Sequence, residues 1–548
     1  MTRLQFGVLY REFLFRMVDL ELLSPQCDMS RLLGQFATIL VLLSIGSSLP
    51  LLTLDPHLSH EALHILLWNK EHSLISLTML VVGLFAVLSW DSTFPDKRDV
   101  LVLAPLPVRT HAIFVAKVAA AASALSITVV ALNIFPGLLW PLATAPANAG
   151  FLELIFSPGR YQAFAAYWLA MLAAGTFIFG SVLCVQGLAA HMLPRRLFLR
   201  FSALLQMGAF CWFLCAYFLE PPFAAPTYWF AALLEQLNGS IGAAELPLAH
   251  RAWAGLAVVI SGSAATFALS YFRTIQKIAE EPDIVPGARG RNWLPSFGNA
   301  LQTAVLQFSI RTLLRSRQHR VILAFYFGLG FAFAILLSDT PRAREQMNVP
   351  LLLASIIMMC VAVMGTRIVF SIPLTLHANW VFRLTPIRAG RQSLAASRLS
   401  LFLLAVAPVW LVAAFFFFSR WTWLPAAGHL LILALIGAIA VEASLYGFSK
   451  IPFTCSYLPG KSYFHMAFLA FMSVIFLLNA GAALEAGALK SSGRYVTLVA
   501  LLLIALSGLC WRTQALAESR ESSLRFEEEV LPALQGLGLQ RDGILPGS

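Results

Sequence analysis

"FPDKRDVLVLAPLPVRTHAIFVAKVAAAASALSITVVALNIF", Phe94 to Phe135, decides how the chain is read. Its second part, Ala112 to Phe135, is almost wholly apolar. A bilayer core needs about 20 mostly apolar residues per helix, so this part predicts a membrane-crossing helix. Its first part is a connector of another kind. Phe94-Pro95 ends the preceding helix, because proline lacks a donor and clashes with the turn before it. Asp96, Lys97, Arg98 and Asp99 form a solvated tetrad, and Pro105 and Pro107 redirect the chain. Arg109 and Lys117 are set to snorkel to lipid phosphates at the start of the span.

Working outward, the whole chain has this texture. It has 548 residues, 59% hydrophobic and only 12% charged. Soluble domains average roughly 25% charged residues. A chain so poor in charge needs lipid as its solvent. The formal net charge of +11 lies between apolar runs and has no aromatic interleaving, so it points to membrane sidedness and away from nucleic acid. The 7 cysteines include no Cys-x-x-Cys pair, and most fall inside apolar runs as packing residues. No cleavable signal is expected. The leader "LQFGVLYREFLFRMVDLELL" predicts an amphipathic helix lying in the interface.

The expected fold is an all-α integral membrane protein with about twelve spans in two six-helix halves. The first six are Phe36–Leu54, Leu74–Trp90, Ala112–Phe135, Ala163–Leu188, Phe201–Phe218 and Trp253–Phe272. The second six are Val321–Leu337, Leu351–Phe370, Leu399–Phe418, Leu430–Phe448, Ala467–Leu484 and Tyr495–Trp511. Residues 1–35 then form the amphipathic leader, 36–272 the first half and 273–320 a cytoplasmic linker with an interfacial segment. Residues 321–511 form the second half and 512–548 a cytoplasmic tail. Loops on the side of the termini carry most of the Lys and Arg. The opposite loops hold only Lys70, Arg160, Arg251, Arg342, Arg344, Arg420, Lys490 and Arg494. The positive-inside rule places both termini in the cytoplasm of a bacterial-type inner membrane.

The halves echo each other. Lys117 follows Pro105 by 117 − 105 = 12 residues, and Arg398 follows Pro386 by 398 − 386 = 12. Both pairs lie in the connector after the second span of a half and the start of the next span. The second connector is "NWVFRLTPIRAGRQSLAASR", with Arg383, Arg388 and Arg391 flanking Pro386. This spacing points to an internal duplication.

The stretches "LAPLPVRTHAIFVAK" and "FRLTPIRAGRQSLAASR" resemble the coupling segment of type-2 permeases of ATP-binding-cassette exporters. That family has about six spans per unit, an amphipathic helix before the first, and a cytoplasmic coupling helix between the second and third. The resemblance implies two fused units and a transmembrane permease relying on a separate soluble ATPase subunit. It implies that Asp96, Lys97, Arg98, Asp99, Pro105, Pro107, Arg109, Lys117, Arg383, Pro386, Arg388, Arg391 and Arg398 belong to the ATPase-coupling elbows. Membrane lipid is the other partner; one chain or a homodimer would complete the pathway. The family also often carries a lid between its fifth and sixth spans. Here "PPFAAPTYWFAALLEQLNGSIGAAELPLAHRAW" holds Tyr228, Trp229 and Phe230, which suit interface anchoring or a re-entrant segment.

Two motifs invite other chemistry. "PGKS", Pro459 to Ser462, has Cys455 where a phosphate loop needs glycine, so no ATPase motif and no cofactor are expected in this chain. "HEALH" matches H-E-x-x-H. On a helix His60 and His64 would share a zinc with Glu61 as general base, and His57 lies one turn earlier. The short loop between spans one and two gives a polar interfacial segment as the simpler reading. A membrane zinc metalloprotease is the alternative it leaves open. Glu442, inside span ten, needs a partner, and Arg367 at similar depth is the candidate. A second alternative, a transporter driven by an ion gradient, needs intramembrane ionisable residues, and Glu442 is nearly the only one visible.

Overall fold

Long apolar runs without breakers fold as helices, since every backbone donor and acceptor must be satisfied away from water. The computed structural model describes residues 3–18, 29–52, 60–93, 109–143, 158–218, 225–280, 298–338, 348–372, 391–446, 448, 451–453 and 464–519. Among them every regular element is helical. The chain divides into two units, Met1–Arg291 and Asn292–Ser548, at a point inside the polar stretch 273–297.

The first unit contains α1 (Arg3–Val18), α2 (Met29–Leu52), α3 (His60–Leu88), α4 (Thr110–Ala143), α5 (Pro158–Met192), α6 (Arg195–Phe218), α7 (Pro226–Asn238) and α8 (Leu246–Glu280). Helix α5 is its hub, packing on α3, α4, α7 and α8. The α5–α8 contact is close because Gly180 faces Val259 and Gly187 faces Thr266; a Cβ at Gly180 would lie 2.6 Å from Val259 Cγ1.

The second unit contains α9 (Ala300–Arg315), α10 (Arg317–Ser338), α11 (Val349–Val369), α12 (Arg391–Leu401), α13 (Ala407–Arg420), α14 (Trp423–Ser444), α15 (Phe464–Ala488) and α16 (Ser492–Ser519). A π turn, Phe402–Val406, joins α12 to α13. It precedes Pro408, whose missing donor and bulky ring are accommodated by the widened turn.

Among the described residues eight helices are long and apolar enough to cross a membrane: α3, α4, α5, α8, α11, the α12–α13 pair, α14 and α16. Shorter apolar runs, Ala37–Leu49, Leu204–Tyr217 and Ile322–Leu337, lie on α2, α6 and α10. Helix α15 covers the remaining predicted span.

The structure adds to or changes four expectations. Helix α1 packs on α4, burying Phe13 and Met17, with Tyr10 hydroxyl donating to Ser123 Oγ at 2.9 Å. Arg11 and Glu12 stay on its exposed face. Residues 273–280, read as linker, continue α8, because no breaker occurs before Pro282. His60–His64, read as loop, forms the first turns of α3. The connector read as an interfacial anchor or a re-entrant segment contains helix α7. Pro226 starts it, Gly239 at φ 82° stops it, and Phe230 to Glu235 are all buried against α3, α5 and α8.

Candidate functional site

The predicted elbows are only partly described. Asp96, Lys97, Arg98, Asp99, Pro105, Pro107, Arg383, Pro386 and Arg388 lie outside the described residues, as does His57. Arg109 is exposed, and its carbonyl accepts the first N–H of α4, from Ala112 at 2.9 Å. Arg391 opens α12. The side chains of His60, Glu61 and His64 are outside the described residues too, so the zinc geometry is not defined. Among the described residues no cluster of three or more His, Cys, Asp or Glu is placed to hold a metal.

The two elbow cations inside helices go to different partners. Lys117 lies 117 − 110 = 7 residues into α4 and Arg398 lies 398 − 391 = 7 into α12. Lys117 does not snorkel outward. It is 2% exposed, with Nζ 5.2 Å from the Phe13 ring centre of α1. A desolvated ammonium over a ring gains from the ring's negative face. Arg398 instead turns to the carboxylate of Glu442 on α14. Its Nη2 donates to Oε2 at 2.9 Å, and its Nε lies against Oε1. Thr513 on α16 donates to the same Oε2, also at 2.9 Å. The partner expected for Glu442 was Arg367, and that expectation is corrected. Arg367 Nε donates to the Ser444 carbonyl at 2.9 Å, its Nη1 to Ser371 Oγ, and its guanidinium lies over Phe448. It is thereby occupied at the carbonyl end of α14, where a cation suits the helix dipole.

A second cluster lies near the other end of α14. Ser355 is 6 residues into α11 (355 − 349), His429 is 6 into α14 (429 − 423), and Glu485 is 3 from the end of α15 (488 − 485). Three helix ends therefore converge. His429 Nδ1 is 2.6 Å from Glu485 Oε1, and His429 Nε2 is 3.0 Å from Ser355 Oγ. The His429 and Glu485 side chains are 0% and 1% exposed. Phe417 and Trp421 wall the ring, with Phe417 at 4.4 Å between centres. The order hydroxyl, imidazole, carboxylate matches a nucleophile, its base and its orienter. Ser355 lies past the first turn of α11, where backbone N–H groups are spent inside the helix, so no oxyanion donor accompanies it.

The first unit has its own buried acids. Glu71 of α3 is buried, its Oε2 has no hydrogen-bond partner, and its charged neighbours are Glu235 and Glu245. Burial, then the hydrogen bond to Glu245 and that group's charge, push Glu235 of α7 up to about 8. Two carboxyls in hydrogen-bond contact hold a proton between them. His72 Nε2, 2.9 Å from Thr227 Oγ1, and its ring, stacked on Tyr228, tie α3 to the start of α7. Deeper in, Tyr167 hydroxyl donates to Asn133 Oδ1 at 2.8 Å, and Asn133 Nδ2 donates to Thr78 Oγ1 at 3.1 Å. This chain of bonds joins α3, α4 and α5.

Sequence reasoning had counted Glu442 as nearly alone. His429, Glu485 and Glu71 were missed because each stands just outside a predicted span: one residue before Leu430, one after Leu484, three before Leu74. A hydropathy window stops where a polar residue begins. The helices run on past them.

Apolar helices with ionisable groups buried between them define a multi-pass helical membrane protein. The chain matches no family model, no curated protein and no solved structure.

Proposed function

We propose that the chain is the membrane-spanning permease of an ATP-driven exporter in a bacterial-type inner membrane, worked by a separate soluble ATPase. The observation that carries this reading is a repeated joint. In each unit a 16-residue helix, α1 or α9, precedes the first apolar helix and packs on the helix that follows the proline-containing connector, α4 or α12. A push on the connector before α4 or α12 would move a helix already braced from the side. On this reading the twelve predicted spans form two six-helix halves with both termini cytoplasmic, and the connectors around Asp96–Arg109 and Arg383–Arg391 dock the ATPase.

The test is gentle purification from native membranes with mass spectrometry of what accompanies the chain. A co-purifying phosphate-loop ATPase, lost when Lys97, Arg98 and Arg109 are replaced together, supports the reading. A chain that stays alone even after cross-linking in the membrane rejects it.

A transporter driven by an ion gradient is the second reading. The buried pair His429–Glu485 and the buried Glu442 beside Arg398 favour it, because intramembrane ionisable groups are the usual elements of ion and proton pathways. Uptake or efflux in vesicles that follows an imposed gradient without ATP separates the two.

A further inference from the structure

We propose that Ser355, His429 and Glu485 form a proton-binding site that clamps the converging ends of α11, α14 and α15 when loaded. The inference goes beyond the permease reading and does not rest on it.

The argument is a count of protons against acceptors. Glu485 Oε1 lies 2.6 Å from His429 Nδ1, so a carboxylate there requires a proton on Nδ1. The other ring nitrogen, Nε2, faces Ser355 Oγ at 3.0 Å. The Ser355 hydroxyl has one proton and two acceptors in reach, since the Leu352 carbonyl lies 2.7 Å away. With a neutral imidazole, Ser355 donates to one or the other, the Leu352 carbonyl keeping its bond within α11, and the cluster carries a net negative charge among apolar helices. With one more proton, on Nε2, the ring donates to Ser355 Oγ and Ser355 donates to Leu352. Every proton then has an acceptor and the pair is neutral overall. Glu485 Oε2 is buried and receives no hydrogen bond, so the imidazolium alone balances the carboxylate. Phe417 and Trp421 present rings to a cation, which also favours the loaded form.

Neighbouring charges leave the balance to this pair. Helix α11 has one charged residue, Arg367, at its opposite end. Helix α15 adds only His465, in its first turn. From α13 comes Arg420, which lies over Phe416. Helix α16 and the turn before it bring Lys490, Arg494 and Tyr495. Tyr495 feels the charge of Glu485, and its hydroxyl donates to the Gly428 carbonyl. The ions of the other cluster, Arg398 and Glu442, neutralise each other. Glu442 lies 442 − 429 = 13 residues along α14 from His429, about 20 Å at the helical rise. Losing the proton leaves an uncompensated buried carboxylate and weakens the tie between three helix ends, so proton occupancy sets how tightly that end of the unit is closed.

The experiment is infrared difference spectroscopy of the full-length protein in lipid nanodiscs, cycled between acid and alkaline buffer. One imidazolium signal and a coupled change in carboxylate environment are expected in the wild type, both absent in His429→Gln. Glu485→Gln keeps the imidazole and should lower its proton affinity by about tenfold or more, the effect of removing an opposite charge in contact. Ser355→Ala should move the midpoint the same way by less, because Nε2–H loses its acceptor while the neutral ring loses only a shared donor. If His429→Gln does not fold, the other two variants carry the test. An unchanged titration in them overturns the proposal. So does an imidazolium that persists to the highest pH at which the wild type stays folded, since the pair would then be a fixed ion pair.

Discussion

The two units follow one plan and solve it with different chemistry. Each opens with a 16-residue helix seated on the helix after the proline-containing connector, and each places a cation 7 residues into that later helix. In the first unit the cation is Lys117 and its described neighbour is the Phe13 ring. In the second it is Arg398, held by the carboxylate of Glu442. Packing diverges too. Helix α2 lies on α4, whereas its counterpart α10 lies on α11. The first unit also has α7, buried among three helices; in the second unit only Leu489–Ser491 separates α15 from α16. The comparison teaches that a shared frame fixes where a cation sits. The residues around it decide what it packs against, an aromatic ring beside Lys117 and a carboxylate beside Arg398.

The largest effect expected from this contrast is at the ion pair. Arg398→Leu leaves Glu442 buried without its guanidinium and should cost about 3–5 kcal/mol, whereas Arg398→Leu with Glu442→Leu should recover most of the loss. Lys117→Met, which keeps the stem, should cost about 2 kcal/mol or less. Thermal unfolding of the purified variants orders them. Equal costs for Lys117→Met and Arg398→Leu would erase the contrast.

Next comes the packing peculiar to the second unit. A Cβ at Gly365 would stand 2.5 Å from Tyr326 Cβ, so Gly365→Leu should force α10 off α11 and cost about 3 kcal/mol or more. Cysteine cross-linking between the two helices should fall in parallel. Free tolerance of leucine would mean the α10–α11 contact is not close.

A smaller loss, about 1–3 kcal/mol, is expected from Asn133→Leu, which strands Tyr167 hydroxyl in an apolar surround, while Thr78 keeps its bond to the Leu74 carbonyl. Tyr167→Phe in addition should cost less than the first change alone, read from the same melts.

The smallest effect is a pH dependence confined to the first unit. Glu235 is raised in the folded chain to about 8, above its ordinary 4.5. The folded state therefore holds the proton more tightly. That stabilisation is complete below pH 4.5 and is lost as pH rises through about 8. Proteolysis near α7 should quicken above that pH, and Glu235→Gln should flatten the change. A wild-type rate that stays constant through pH 8 would contradict the shared proton.

How much was legible beforehand differs by feature. The apolar runs named the eight membrane-length helices found among the described residues, because length and hydropathy are local properties. The ends of those runs were the weak point. His429, Glu485 and Glu71 were assigned to loops because a polar residue closes a hydropathy window, yet a helix continues through such a residue when a partner awaits it. Lys117 and Arg398 share a spacing that the sequence displays, but Lys117 was expected to snorkel outward and is instead buried beside Phe13. Phe453 gave no sign at all: it adopts φ 64°, rare for a bulky residue, and packs its ring against Phe308, His319 and Phe370. Burial beside that ring pushes the His319 imidazole below its ordinary range, partly offset by its bond to the Ile372 carbonyl.

By itself the sequence determined that this is a helical membrane protein, where most apolar helices run, and that the chain repeats a connector with a proline and a cation. Those follow from composition and from spacing along one chain. Only the tertiary structure decided that Glu442 meets Arg398 and leaves Arg367 to cap a helix, and that Ser355, His429 and Glu485 meet at one place. The reason is geometric. Which faces of two helices touch depends on their rotation and their neighbours, and residues 44 or 56 positions apart in the chain carry no local mark of that contact.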